Sequence, residues 1–176
     1  DTGAPTTCRM NLAGGAPAVN TTDVAVALDS SDPAGQVWLS GDVDAASALP
    51  VDQWIAYTAS PAQDLRLSAG DGVKTVTIKC MDVAGNVSTA GFTTILLDRM
   101  PPAGYVSINA GADYVQVKDV TVTLTWFDDR TGVSKYKLAN DGTLPDCANA
   151  TGYQNYTGTV NNWPLVDAEG TRTVTL

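Results

Sequence analysis

The chain has 176 residues, with 19 acidic against 10 basic side chains, a net charge of −9 and no histidine. That balance repels phosphate, which excludes nucleic acid as a partner and argues against docking on an anionic membrane. The lack of His removes Ser-His-Asp and Cys-His catalysis and leaves almost nothing from which to build a zinc site.

No apolar run approaches the length that crosses a bilayer, so membrane insertion is not expected. Glu169 is the only Glu, and every other acidic residue is Asp. Asp favours turns and caps whereas Glu favours helices. With Thr and Val abundant, the composition predicts β-sheet and loops, with helix nearly absent. The chain opens on polar and turn-forming residues, as a mature fragment or an excised piece would. Its first triplet, Asp1-Thr2-Gly3, spells the catalytic sequence of aspartic proteases, which need it on a loop after a buried strand. The matching later point reads Asp98-Arg99-Met100 with no Thr-Gly, so the triplet is read as linker.

In chain order, Cys8, Met10 and Leu12 alternate inward and define a first strand ending at Gly14-Gly15. Val24, Val26 and Leu28 form the inward face of a second. Residues 29–35 read as a loop rich in turn formers, followed by a third strand at Val37-Trp38-Leu39. The stretch 44–52 is irregular. Residues 54–57 and 65–67 give two short strands. Gly70 to Asn86 then reads turn, strand, turn: Asp71-Gly72 supplies the positive φ of a tight turn. Val76, Ile78 and Cys80 alternate with Thr75, Thr77 and Lys79. Phe92 to Leu97 is the last strand. About seven short strands between turn signals predict an antiparallel β-sandwich of immunoglobulin-like type.

The pattern then repeats. Asp119-Val120-Thr121-Val122-Thr123-Leu124 follows Asp23-Val24-Ala25-Val26-Ala27-Leu28 at an offset of 96, and Leu138 to Asp141 follows Leu39 to Asp42 at 99. Tyr153 and Tyr156 stand where Trp54 and Tyr57 stood. Ile108-Asn109 is set against Met10-Asn11, and Gly170 to Leu176 against Gly72 to Ile78. Two tandem sandwiches are expected, over residues 1–98 and 99–176. The second would lack everything equivalent to Lys79 through Leu97, including its final strand, so that the chain continues or another chain supplies the strand. Pro101-Pro102 at the junction favours a stiff extended link.

Three features carry a resemblance: Asp71-Gly72-Val73-Lys74-Thr75-Val76 with Lys79 and Asp82-Val83-Ala84-Gly85-Asn86, then Ile95-Leu96-Leu97-Asp98, then Pro101-Pro102. Together they resemble the tandem immunoglobulin-like, fibronectin type III-like repeats of large secreted and surface proteins of bacteria. The resemblance implies modules that serve as stalks, spacers, adhesins or appendages of secreted enzymes. The cysteines lie outside that pattern.

Cys8 and Cys80 both take inward positions, and the alternatives are a disulfide or two buried thiols. A disulfide would place the chain in an oxidising compartment. Cys147 lies in a Pro/Asp/Asn-rich insertion, and the counterpart of Cys80 that might partner it falls past Leu176. Asp29 with Asp32, Asp128 with Asp129, and Asp82 and Asp98 are weak calcium candidates, because calcium needs six or more converging oxygens and no segment shows that spacing. No cofactor is expected beyond that possibility. Trp38, turned outward by inward Val37 and Leu39, is a candidate ligand contact together with Tyr57. Asn20, Asn86, Asn149 and Asn155 begin Asn-x-Ser/Thr sequons, which matter only in a eukaryotic secretory pathway. Glu169 has no evident carboxylate partner for glycoside hydrolysis. The leading expectation is a non-enzymatic stalk or spacer of a larger extracellular bacterial protein, its partners the other repeats of the same chain. The alternatives are a module binding a glycan or protein ligand, and a fibre subunit completed by a neighbouring copy.

Overall fold

The computed structural model describes residues 2–31, 34–57, 63–141 and 151–176. The protein is all-β, built of several mainly antiparallel sheets, and its described residues include a single 3-10 turn, Ala13–Gly15. The chain divides into two compact units, Asp1–Arg99 and Met100–Leu176. No helix among the described residues is long and apolar enough to cross a membrane.

The first unit holds β1 (Cys8–Leu12), β2 (Ala18–Val19), β3 (Asp23–Ser30), β4 (Ala34–Gly41), β5 (Trp54–Ala56), β6 (Gln63–Arg66), β7 (Gly72–Asp82) and β8 (Gly91–Leu97). One sheet runs β1-β3-β6 and the other β2-β8-β7-β4-β5. The sequence anticipates seven strands; the eighth is β2, two residues pairing parallel to β8 and too short to show a period. The expected loop over 29–35 is also shorter than read, because β3 continues to Ser30 and β4 begins at Ala34.

Alternation builds the core. Val24, Val26 and Leu28 of β3 meet Val37, Leu39, Val76, Ile78, Cys80 and Ile95 of the other sheet in one buried cluster. β7 is the middle strand of its sheet and the longest, and its inward row runs Lys74, Val76, Ile78, Cys80, Asp82. The two charged ends of that row are buried but satisfied, as burial of a charge requires. Lys74 Nζ donates to Ser68 Oγ at 3.1 Å and to the Ala69 carbonyl at 3.2 Å. Asp82 accepts from the Asn86 backbone N–H and from Asn86 Nδ2, both at 2.8 Å. Lys74 and the Asp82-x-x-x-Asn86 pair therefore anchor the strand and its turn.

The second unit holds β9 (Ala103–Ile108), β10 (Asp119–Phe127), β11 (Lys135–Tyr136), β12 (Ala139–Asn140), β13 (Gln154–Asn155), β14 (Thr159–Pro164) and β15 (Val174–Thr175). They form one three-stranded sheet, β14-β10-β9, and two strand pairs, β11-β13 and β12-β15. Val120, Val122, Leu124, Tyr136 and Leu165 are its buried centre.

The pairing registers of the two units correspond. Leu12 faces Val26 and Met10 faces Leu28, while Ile108 faces Val122 and Val106 faces Leu124, a constant offset of 96. This corrects the alignment of Ile108 with Met10: the strand register sets Ile108 against Leu12. The turn that follows confirms the shift. Ala13, Gly14 and Gly15 all have positive φ, and so do Asn109, Ala110 and Gly111, again 96 apart. Further on, Gly41 faces Val76 and Asn140 faces Val174. Val37 faces Ile55, and Tyr136 faces Gln154.

Candidate functional site

Most of the described residues singled out by the sequence serve the fold. Cys8 on β1 and Cys80 on β7 form a disulfide with Cα atoms 5.7 Å apart, which ties one sheet of the first unit to the other. A disulfide points to an oxidising environment. Cys147, Asn149 and Asp32 lie outside the described residues, as does Asp1 of the opening triplet; Thr2 and Gly3 are exposed.

Trp38 and Tyr57 do not share a face. Trp38 pairs across the strands with Trp54, ring centroids 5.8 Å apart and planes at 70°, an edge-to-face contact that leaves both indoles half-buried. Tyr57 lies on the core side, packed against the buried cluster, and its hydroxyl donates to the Leu28 carbonyl at 3.4 Å. Ile55 packs against the same cluster, whereas its neighbour Trp54 lies on the other face of β5.

The carboxylates do not converge: no cluster of three or more His, Cys, Asp or Glu that could hold a metal occurs among the described residues. Asp29 is exposed on β3. One oxygen of Asp128 accepts the backbone N–H groups of Arg130, Thr131 and Gly132 at 3.1, 3.0 and 2.8 Å. Those bonds, that of Arg130 foremost, hold the Asp128 carboxyl below its ordinary pKa. Asp129 sits 3.5 Å from Arg130 Nε. Asp82 is likewise held low, chiefly by the Asn86 side chain. Asp98 is buried and its N–H donates to the Val19 carbonyl. The Asp128 and Asp82 oxygens thus face N–H donors of their own turns. Glu169 is exposed, with its carbonyl accepting from Arg172. Among the sequons, Asn86 is committed to Asp82 and the Ser88 hydroxyl is buried, accepting the Cys80 N–H, whereas Asn20 and Asn155 are exposed.

A cleft in the second unit is not foreseen from the sequence. It has a volume of about 210 Å³ and opens between β14 and the β11-β13 pair. Tyr136, Leu138, Val160 and Trp163 give it apolar walls, and Gln154, Asn161 and Asn162 line it alongside them, the Asn161 amide oxygen accepting the Thr121 hydroxyl at 3.5 Å. The indole of Trp163 is fixed: its Nε1 donates to Asn140 Oδ1 at 2.7 Å, and Asn140 Nδ2 donates to the Pro164 carbonyl at 2.8 Å. Asn161 and Asn162 form a β-bulge, since Val120 faces Trp163 but Val122 faces Val160. Asn162 takes φ +55°, in the left-handed region that Asn tolerates better than most residues. Two adjacent Asn inside a strand, where Asn is disfavoured, were the signal that could have pointed here.

Comparison with protein-family models, with curated proteins and with solved structures returns no match.

Proposed function

We propose that the chain is a non-enzymatic structural segment of a larger extracellular protein. Its units act as tandem immunoglobulin-like β-sandwiches that space other parts of the molecule apart. The observation that carries this reading is the recurrence of one pairing register, Leu12 with Val26 and Ile108 with Val122. The disulfide supports a location outside the reducing cytosol. Two of the candidate carboxylates support it too, being spent on turns: Asp82 on Asn86, Asp128 on three backbone amides. Pro101-Pro102 between the units gives the connection little conformational freedom.

Pulling the full chain by its ends tests the reading. A load-bearing spacer shows two discrete unfolding events. In the first unit the 72-residue separation closed by the disulfide withholds about 250 Å of contour until reductant is added. Smooth extension without discrete events would overturn the proposal.

A further inference from the structure

We propose that the cleft of the second unit is a binding site for one neutral saccharide ring, free or terminal in a glycan. This goes beyond the spacer reading and does not depend on it. Three observations converge on it.

The first is a substitution at an inward position. Gln154 faces Tyr136 as Ile55 faces Val37 in the first unit. Ile55 packs against the buried cluster and Val37 is fully buried. At the matching place the second unit carries an exposed amide on the wall of a cleft. An amide there forgoes the apolar burial that Ile55 contributes at the matching place. The second is the bulge. The β3-β6 pairing runs without interruption from Asp23 with Arg66 to Val26 with Gln63. Its counterpart, β10-β14, is broken by one extra residue, and Asn162 sits at positive φ where the break occurs. Bulges are over-represented beside binding and active sites, where they re-aim side chains. The third is the fixed indole of Trp163, whose orientation is set by Asn140 before any ligand arrives. Prior fixation of a ring lowers the entropy lost on binding.

The chemistry of the wall selects the ligand. Side-chain amides both donate and accept, which matches vicinal hydroxyls, and an aromatic face suits the C–H side of a pyranose. No charged side chain stands among the described residues lining the cleft; nearby Lys137 lies over the Tyr153 ring, 5.6 Å from its centroid. With the chain at −9, an anionic sugar would be opposed. At about 210 Å³ the cleft is smaller than the roughly 300 Å³ at which drug-sized sites begin, which limits it to one ring.

The test is saturation-transfer NMR and Trp fluorescence on the full chain. The probes are methyl glycosides of glucose, galactose, mannose and N-acetylglucosamine, the matching disaccharides, and glucuronic acid. Concentrations reach about 50 mM, enough to saturate a site of millimolar Kd. At least one neutral sugar should bind, with glucuronic acid weaker. Gln154→Ala and Asn162→Gly should each weaken it roughly tenfold, the loss that ~1.4 kcal/mol produces. Trp38→Ala, in the first unit, should leave it unchanged. Asn162→Gly relieves positive φ, so its effect is not a failure to fold. Absence of binding by every neutral probe overturns the proposal, as does binding that survives in the Gln154→Ala/Asn162→Gly double variant. Stronger binding of glucuronic acid than of any neutral sugar overturns it as well.

Discussion

Reducing the Cys8–Cys80 disulfide should nearly unfold the first unit while sparing the second. The bridge spans a sequence separation of 72. Treated as lost loop entropy in the unfolded chain, a closure of that length is worth about 4.4 kcal/mol at 25 °C, within the 2–5 kcal/mol that native bridges of small domains typically contribute. A unit of this size has a total stability of only about 5–15 kcal/mol, so the loss is roughly 30–90% of it. At 4–8 °C per kcal/mol, melting should fall by about 20 °C or more. Hydrogen exchange read by mass spectrometry, with and without reductant, separates the units within the intact chain. Amides of β3 and β7 should exchange about a thousandfold faster after reduction, the factor that 4.4 kcal/mol implies. Amides of β10 should not change. Acceleration below tenfold in β7, or equal acceleration in β10, would refute the reasoning.

Four further outcomes are expected. Asp82 has its pKa lowered on folding, mainly by the Asn86 side chain. The stability it contributes is therefore present above the ordinary carboxylate pKa and disappears as pH falls through the folded value. Asp82→Asn should flatten the loss of stability below about pH 4, measured as urea midpoint against pH. Gly41 has φ +107° and an added Cβ would collide with the Thr75 carbonyl oxygen, so Gly41→Ala should cost about 2 kcal/mol or more by urea denaturation. At Gly104 a Cβ would lie 2.8 Å from both the Thr125 carbonyl and the Trp126 ring. Gly104→Ala should thus cost about 1–3 kcal/mol, visible as faster exchange in β10 and not in β7. Finally, calcium or EDTA should leave the melting temperature unchanged, because the candidate oxygens of Asp128 and Asp82 already accept N–H groups; a rise with millimolar calcium would contradict that assignment.

Strand periodicity made much of the fold legible. Val24, Val26 and Leu28 alternate with small Ala25 and Ala27, Val76, Ile78 and Cys80 with polar Thr77 and Lys79, and all six large apolar residues are buried. The same alternation put Cys8 and Cys80 inward, which was enough to nominate the disulfide. Other features depend on cross-strand register, which no single segment reveals. Trp38 has Trp54 beside it only because β4 and β5 pair residue for residue there. Leu49 is buried in the core cluster yet sits in an irregular stretch without a period to betray it. The cleft depends on register in the same way, since Gln154 lines it from one strand and a bulge lines it from another.

The register comparison also separates what the backbone requires from what each unit is free to vary. Asp42 accepts the Thr75 N–H at 2.8 Å, and Asp141 accepts the Thr173 N–H at 3.3 Å. The clamp recurs because a strand entering a ladder has an amide that must be satisfied wherever the same turn is used. Contacts between side chains do not recur in this way. Cys8 faces Ser30, whereas Gly104 faces Trp126 at the offset of 96. The Trp126 ring occupies the space a Cβ on residue 104 would need, so a bridge at that place is sterically excluded and an indole fills it. The edge-to-face Trp38–Trp54 pair likewise gives way to Lys137 over Tyr153. A backbone register held by turns and ladder bonds tolerates such exchanges at a modest cost each. That tolerance is what would allow one unit to be braced by a disulfide while the other spends part of its core on a cleft.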